Sequence, residues 1–147
     1  MSVFADPAYY RDSRGQFFGT ASQNGNRTIY RNRTGKQIGS SIQRGNRTIY
    51  RDATGKIIGT AIQNGNRTVY QDRRGSRTGS VTTNGSQTIY RDKNGKIIGR
   101  SRQTGNNRTI YRNQAGSFSG SVTNSHDSNS TREGFFIVQP QDGPKPH

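Results

Sequence analysis

Tyr10, Tyr30, Tyr50, Tyr70 and Tyr90 stand twenty residues apart, and Tyr111 follows after a single inserted residue in TGNNRTIY. A period this short is the length of one supersecondary unit, so the chain must fold as an array of similar units. Three glycine series keep the same period, Gly15 to Gly116, Gly19 to Gly120 and Gly25 to Gly105, and they take up 17 of the 19 glycines. Glycine is therefore placed by the repeat and marks turns, not linkers.

Within one unit, TIYRD and KIIGTAI are short runs rich in β-branched and aromatic residues, each followed by a turn signal that ends in glycine. Each unit reads as two strands. Asp52 to Lys56 suits a type I turn followed by a left-handed residue, with Gly55 taking the positive φ. Ile62 to Asn66 has the same layout, and pairing Ile62 with Asn66 sets Ile58 opposite Tyr70 and Thr60 opposite Thr68. A two-residue turn at Asn64 and Gly65 would put Tyr70 on the wrong face, because a slip of one residue flips every side chain. The expected sheet has a Tyr and Ile ladder on one face, the better candidate for a core, formed by curling of the sheet or by dimerisation. Its other face carries Arg47, Arg51, Arg67, Ala61 and the Gly59 series.

The fold class expected is all-β: an antiparallel β-hairpin meander of six units of about twenty residues, roughly eleven to thirteen strands, twisted, curled or partly closed. A parallel β-solenoid is the alternative, but it would stack Arg27, Arg47 and Arg67 at about 4.8 Å, and like charges in direct register are destabilising. Residues 1–9 read as an N-terminal cap, 10–122 as the repeat array, 123–138 as a polar loop with a capping strand at GFFIV, and 139–147 as a flexible tail. All six phenylalanines lie outside the central units, where an array with free ends needs caps.

Only 25% of the 147 residues are hydrophobic and the mean hydropathy is -1.09, so a large buried core is excluded and order must come chiefly from backbone pairing. There is no cysteine and hence no disulfide or thiolate chemistry. No apolar run suits a signal peptide or a membrane-spanning helix. The expectation is a chain without membrane insertion, cytoplasmic or exported by a non-classical route.

The string GNRTIYRDATGKIIGTAIQNGNRTVY resembles the YD repeats of the RHS family, in which a Tyr-Asp pair, a Gly-Arg pair and a later Gly and Thr precede the next Tyr. Tyr50, Asp52, Gly55, Lys56 and Ile57, then Gly65, Thr68 and Tyr70, occupy comparable positions, and the likeness extends over about 110 residues. It implies β-hairpin architecture. Family members spool such units into shells that enclose toxins or present binding surfaces.

Chemistry at a catalytic site is not expected. His126 and His147 have no partner at catalytic or metal-ligand spacing, and Asp12, Asp52, Asp72 and Asp92 recur where turn entry favours Asp or Asn, as Asn32 and Asn113 also do. No cofactor is implied. The charge is the feature with a mechanism attached: 23 Lys and Arg against 8 Asp and Glu, a net +15. Arg27, Arg47, Arg67 and Arg108 follow the second turn, Arg31, Arg51, Arg91 and Arg112 follow the tyrosines, and Lys36, Lys56 and Lys96 follow the first turn. Such rows would keep a long sheet from pairing with copies of itself, or would track a phosphate backbone. The expected function is a non-enzymatic structural or protein-interaction module acting through a basic sheet lined by Tyr30, Tyr50, Tyr70, Tyr90 and Tyr111, by self-association or with a protein partner. Binding of nucleic acid or another polyanion is the alternative.

Overall fold

The structure, a computed structural model, describes residues 7–105 and 107–123. They form β1 (Ala8–Asp12), β2 (Phe17–Asn24), β3 (Arg27–Asn32), β4 (Gln37–Arg44), β5 (Arg47–Asp52), β6 (Ile57–Asn64), β7 (Arg67–Asp72), β8 (Arg77–Asn84), β9 (Gln87–Asp92), β10 (Ile97–Thr104), β11 (Arg108–Asn113) and β12 (Phe118–Thr123). Every strand pairs antiparallel with its chain neighbours, and β1 pairs with β12, so the meander is a closed barrel. Neither the partly closed sheet nor the parallel solenoid is adopted. The two terminal strands cover each other; residues 1–6 of the expected N-terminal cap and the expected capping strand GFFIV lie outside the described residues.

Closure follows from the register. Thr28 lies opposite Ser41, and Ser41 opposite Tyr50, so crossing one hairpin advances two residues along the repeat. The same step runs from Ala8 through Ala21 to Tyr30, and at the seam from Thr109 through Val122 to Tyr10. Six steps of two residues give a shear of 12 for 12 strands. A shear equal to the strand number tilts the strands by about 36°.

The first turn folds as its sequence implies. The Asp52 amide donates to the Lys56 carbonyl and the Gly55 amide to the Asp52 carbonyl, with Gly55 at φ +89°. The second turn corrects the expected register. Asn64 pairs with Arg67 across the two residues Gly65 and Asn66, and only Gly65 has a positive φ, the pattern of a type II′ turn. A bulge in the first hairpin compensates: Tyr50 lies opposite Gly59 and Arg51 opposite Ile57, leaving Ile58 as the extra residue. Parity alone keeps the tyrosines on one face, and a bulge followed by a two-residue turn satisfies it as well as two three-residue turns would.

The interior ladder is therefore not Tyr and Ile. Tyr70 lies between Ala61 and Gly79, Thr68 between Gln63 and Val81, and Thr60 faces outward beside Ile49 and Gln71. Ala61 belongs to the tyrosine face, where it is buried. A barrel of twelve strands is wider than the eight-stranded barrels that short aliphatic side chains can fill, so long side chains are needed to reach its axis. Tyr10, Tyr30, Tyr50, Tyr90 and Tyr111 are buried there with Ala8, Ala21, Ala61, Val81 and Val122. Close approach requires the glycine opposite Tyr50, Tyr70 and Tyr90: a Cβ on Gly59 would stand 2.6 Å from the Gln71 carbonyl oxygen, on Gly79 2.7 Å from that of Arg91, and on Gly99 2.8 Å from that of Arg112.

Candidate functional site

Closure places every strand's alternate residues either in the tyrosine-filled interior or on an outer wall, and the cations divide into three rings. Arg27, Arg47, Arg67 and Arg108 are exposed at the end formed by the second turns, opposite Asn24, Arg44, Asn64 and Thr104. Lys36, Lys56 and Lys96 are exposed at the other end. Arg31, Arg51, Arg91 and Arg112 circle the wall between them. The sequence candidates are thus not gathered into one stripe, and the tyrosines that were to line a binding surface are inside.

The middle ring has a local structural task. Nη1 of Arg11, Arg51 and Arg112 donates to the carbonyl oxygens of Gly15, Gly55 and Gly116 at 3.1, 2.9 and 3.1 Å, folding each arginine back over its own turn. Arg31 does the same with Gly35 at 3.5 Å. Ser40 lies opposite Arg51 and Ser80 opposite Arg91, Arg77 Nη2 donates to Ser80 Oγ at 3.2 Å, and Ser40, Thr60 and Ser80 are buried despite facing outward.

The four described carboxylates, Asp12, Asp52, Asp72 and Asp92, each accept two backbone N–H bonds from the second and fourth residues onward in their turns. Asp52 is further held by the Thr54 hydroxyl, and that bond, followed by the Lys56 and Thr54 amides, lowers its pKa from the ordinary value. The carboxylates serve the turns, and the cations occupy both the strands and the first turns, where Arg14, Arg33, Lys36, Lys56, Arg73, Arg74, Lys93 and Lys96 lie. Residues 7–123 hold 21 Lys and Arg against these 4 acids.

In one place the rings merge, and the sequence candidates omitted its centre. β10 has Arg100 and Arg102 where β6 has Thr60 and Ile62, and both arginines are exposed. Arg100 lies directly opposite Arg112, Arg102 lies between Gln87 and Ile110, and Arg91 and Arg108 flank them. The signal was legible as a departure from the repeat in IIGRSRQT against IIGTAIQN, but it belongs to none of the regular cation series.

A second feature is a recess of about 270 Å³ at the bulged end, lined by Tyr50, Tyr70, Tyr90, Ile58, Thr78 and Ile98 among others. Across the barrel, Phe18 and Ile38 occupy the corresponding positions and pack on the core. Ile58 and Ile98 are exposed at the rim, and Ile57 is exposed beside Ile58 in sequence. Among the described residues there is no His, Cys, Asp or Glu group able to hold a metal, and no helix long and apolar enough to cross a membrane. His126 and His147 lie outside them.

Fold and wall together define a closed, basic, hairpin-repeat β-barrel. No protein-family model matches the chain, and no curated protein matches it. Among solved structures it is similar to the X-ray structure of a protein from Arabidopsis thaliana, at 7% sequence identity and a TM-score of 0.59, over 89% of this chain and 88% of that one. At that identity the likeness concerns the fold.

Proposed function

We propose that the protein is a non-enzymatic binding module that holds an anionic macromolecule against the outer wall of a rigid repeat barrel. One observation carries this reading: β1 pairs with β12, so the barrel has no free edge for cations to guard, yet the wall remains strongly basic. Protection against edge pairing no longer explains the arginines. Nor does the wall offer the continuous apolar band of a lipid-facing barrel, since Arg100 and Arg102 stand within β10 and Arg31, Arg51, Arg91 and Arg112 stand one residue from the ends of their strands. With the tyrosines inside, recognition rests on charge without aromatic stacking.

Fluorescence anisotropy with a labelled oligonucleotide and a labelled oligoglutamate tests the reading. Binding of at least one probe should weaken steeply between about 50 and 200 mM salt. Absence of binding to both, or affinity indifferent to salt, refutes it. A protein-interaction reading draws on the exposed Ile58 and Ile98 that line the recess. Light scattering tests self-association through that rim, and a strict monomer removes it.

A further inference from the structure

We infer that β9, β10 and β11 form a strip that grips the phosphodiester backbone of a nucleic-acid strand, with Arg100 and Arg102 at its centre and Arg91, Arg112 and Arg108 around them. This rests on the anion-binding reading above and assigns it a place and a chemistry. Register places the five side chains at successive levels of one face. Arg91 is opposite Ile97; two residues along, Arg100 lies between Ile89 and Arg112; two further, Arg102 lies between Gln87 and Ile110; two further again, Arg108 is opposite Thr104. Each level is about 6.6 Å from the next, and the whole strip is about 20 Å long. That step is close to the separation of successive phosphates along an extended nucleic-acid strand, so one cation row matches one backbone.

The strip is also where the chain gives up its own preferences. Other units place a buried Ser or Thr at the position of Arg100, at Ser40, Thr60 and Ser80, and an uncharged residue at the position of Arg102, at Ser22, Ile42, Ile62 and Thr82. Substituting two exposed arginines sets Arg100 directly opposite Arg112, a like-charge pair that destabilises a sheet. The described carboxylates are held in the turns by backbone amides, and Arg112 Nη1 donates to the Gly116 carbonyl oxygen, which leaves the remaining N–H groups of Arg112 and the whole Arg100 fork to meet an anion. A phosphate oxygen pair between the forks of Arg100 and Arg112 supplies it with bidentate geometry that an ammonium lacks.

The decisive experiment compares the double variant Arg100→Thr/Arg102→Ile, which installs residues that β6 already carries, with Arg47→Gln/Arg67→Gln, which removes two charges from the second-turn end. The probe is a labelled oligodeoxythymidylate of about twelve nucleotides in about 0.1 M salt, with unlabelled oligoglutamate as competitor. The strip variant should lose about tenfold or more in affinity, and its log-log salt slope should fall by about 1.4, the value for two single-strand phosphate contacts. The end variant should lose less. Equal losses in the two variants overturn the strip while leaving a diffuse anion-binding wall intact. Competition by oligoglutamate as strong as by unlabelled oligonucleotide overturns the phosphate assignment in favour of an acidic protein. Failure of the unsubstituted protein to bind either probe overturns both readings.

Discussion

The barrel interior predicts that adding one hydroxyl will stabilise the protein. The Tyr30 hydroxyl meets Ser41 Oγ at 3.0 Å and the Tyr90 hydroxyl meets Ser101 Oγ at 3.1 Å, in each case on the next strand and two residues beyond the glycine that faces the tyrosine. Ala61 holds the same register position relative to Tyr50, and the Tyr50 hydroxyl is buried without a hydrogen-bond partner. Ala61→Ser places an oxygen where Ser41 and Ser101 have theirs. A net hydrogen bond contributes about 1 kcal/mol, and relief of an unsatisfied buried hydroxyl raises the gain towards about 2 kcal/mol. The added oxygen offsets part of this only if Ala61 is packed too tightly to admit it. For a chain of this size, 1 kcal/mol corresponds to a shift of about 2 to 4 °C in Tm.

Urea denaturation of a double-mutant cycle reads the effect. Tyr50→Phe should be neutral or slightly stabilising in the unsubstituted chain and destabilising by about 1 kcal/mol in the Ala61→Ser background. Ser41→Ala should cost about 1 kcal/mol by removing the bond between the Tyr30 hydroxyl and Ser41 Oγ. If Ala61→Ser confers the same stability change in the Tyr50→Phe variant as in the unsubstituted chain, no bond has formed and the register argument is wrong.

Other substitutions separate the glycine roles and test the turns. Gly59→Ala should destabilise by about 2 to 3 kcal/mol, because its Cβ would meet the Gln71 carbonyl at 2.6 Å, whereas Gly55→Ala, with open space but φ +89°, should cost about 1 to 2 kcal/mol; equal effects in chemical denaturation would contradict that distinction. Since Asp52 has a lowered pKa in the folded state, its contribution to stability is complete above the unfolded carboxylate pKa and is lost as pH falls through the folded value. Asp52→Asn, the residue found at Asn32 and Asn113, should keep the turn and abolish that part of the acid sensitivity in a pH series of Tm. Thr78→Ile, restoring the residue of Ile38, Ile58 and Ile98, should fill part of the recess and stabilise by about 1 kcal/mol, with no gain if the rim is already optimally packed.

The chain's local chemistry determined a good deal on its own. The period of twenty, the Asp-x-x-Gly turns and the run of β-branched residues identify antiparallel hairpins and strand number, because turns and strands are decided by residues close in sequence. Asp52, Thr54 and Gly55 form the turn their order implies. Which residues face each other was not legible, since a bulge at Ile58 and a two-residue turn at Gly65 and Asn66 give the same facing for Tyr50 and Tyr70 as the simpler register does. The strip of Arg91, Arg100, Arg102, Arg108 and Arg112 was half visible: its arginines could be counted, but their alignment depends on the pairing of three strands.

Closure belonged to the tertiary structure alone. A shift of two residues per hairpin is invisible within one unit, and only its accumulation over six units brings Val122 opposite Tyr10. Closure wraps the tyrosine face, the better core candidate in the sequence, around one interior, and leaves the arginines on a wall without edges.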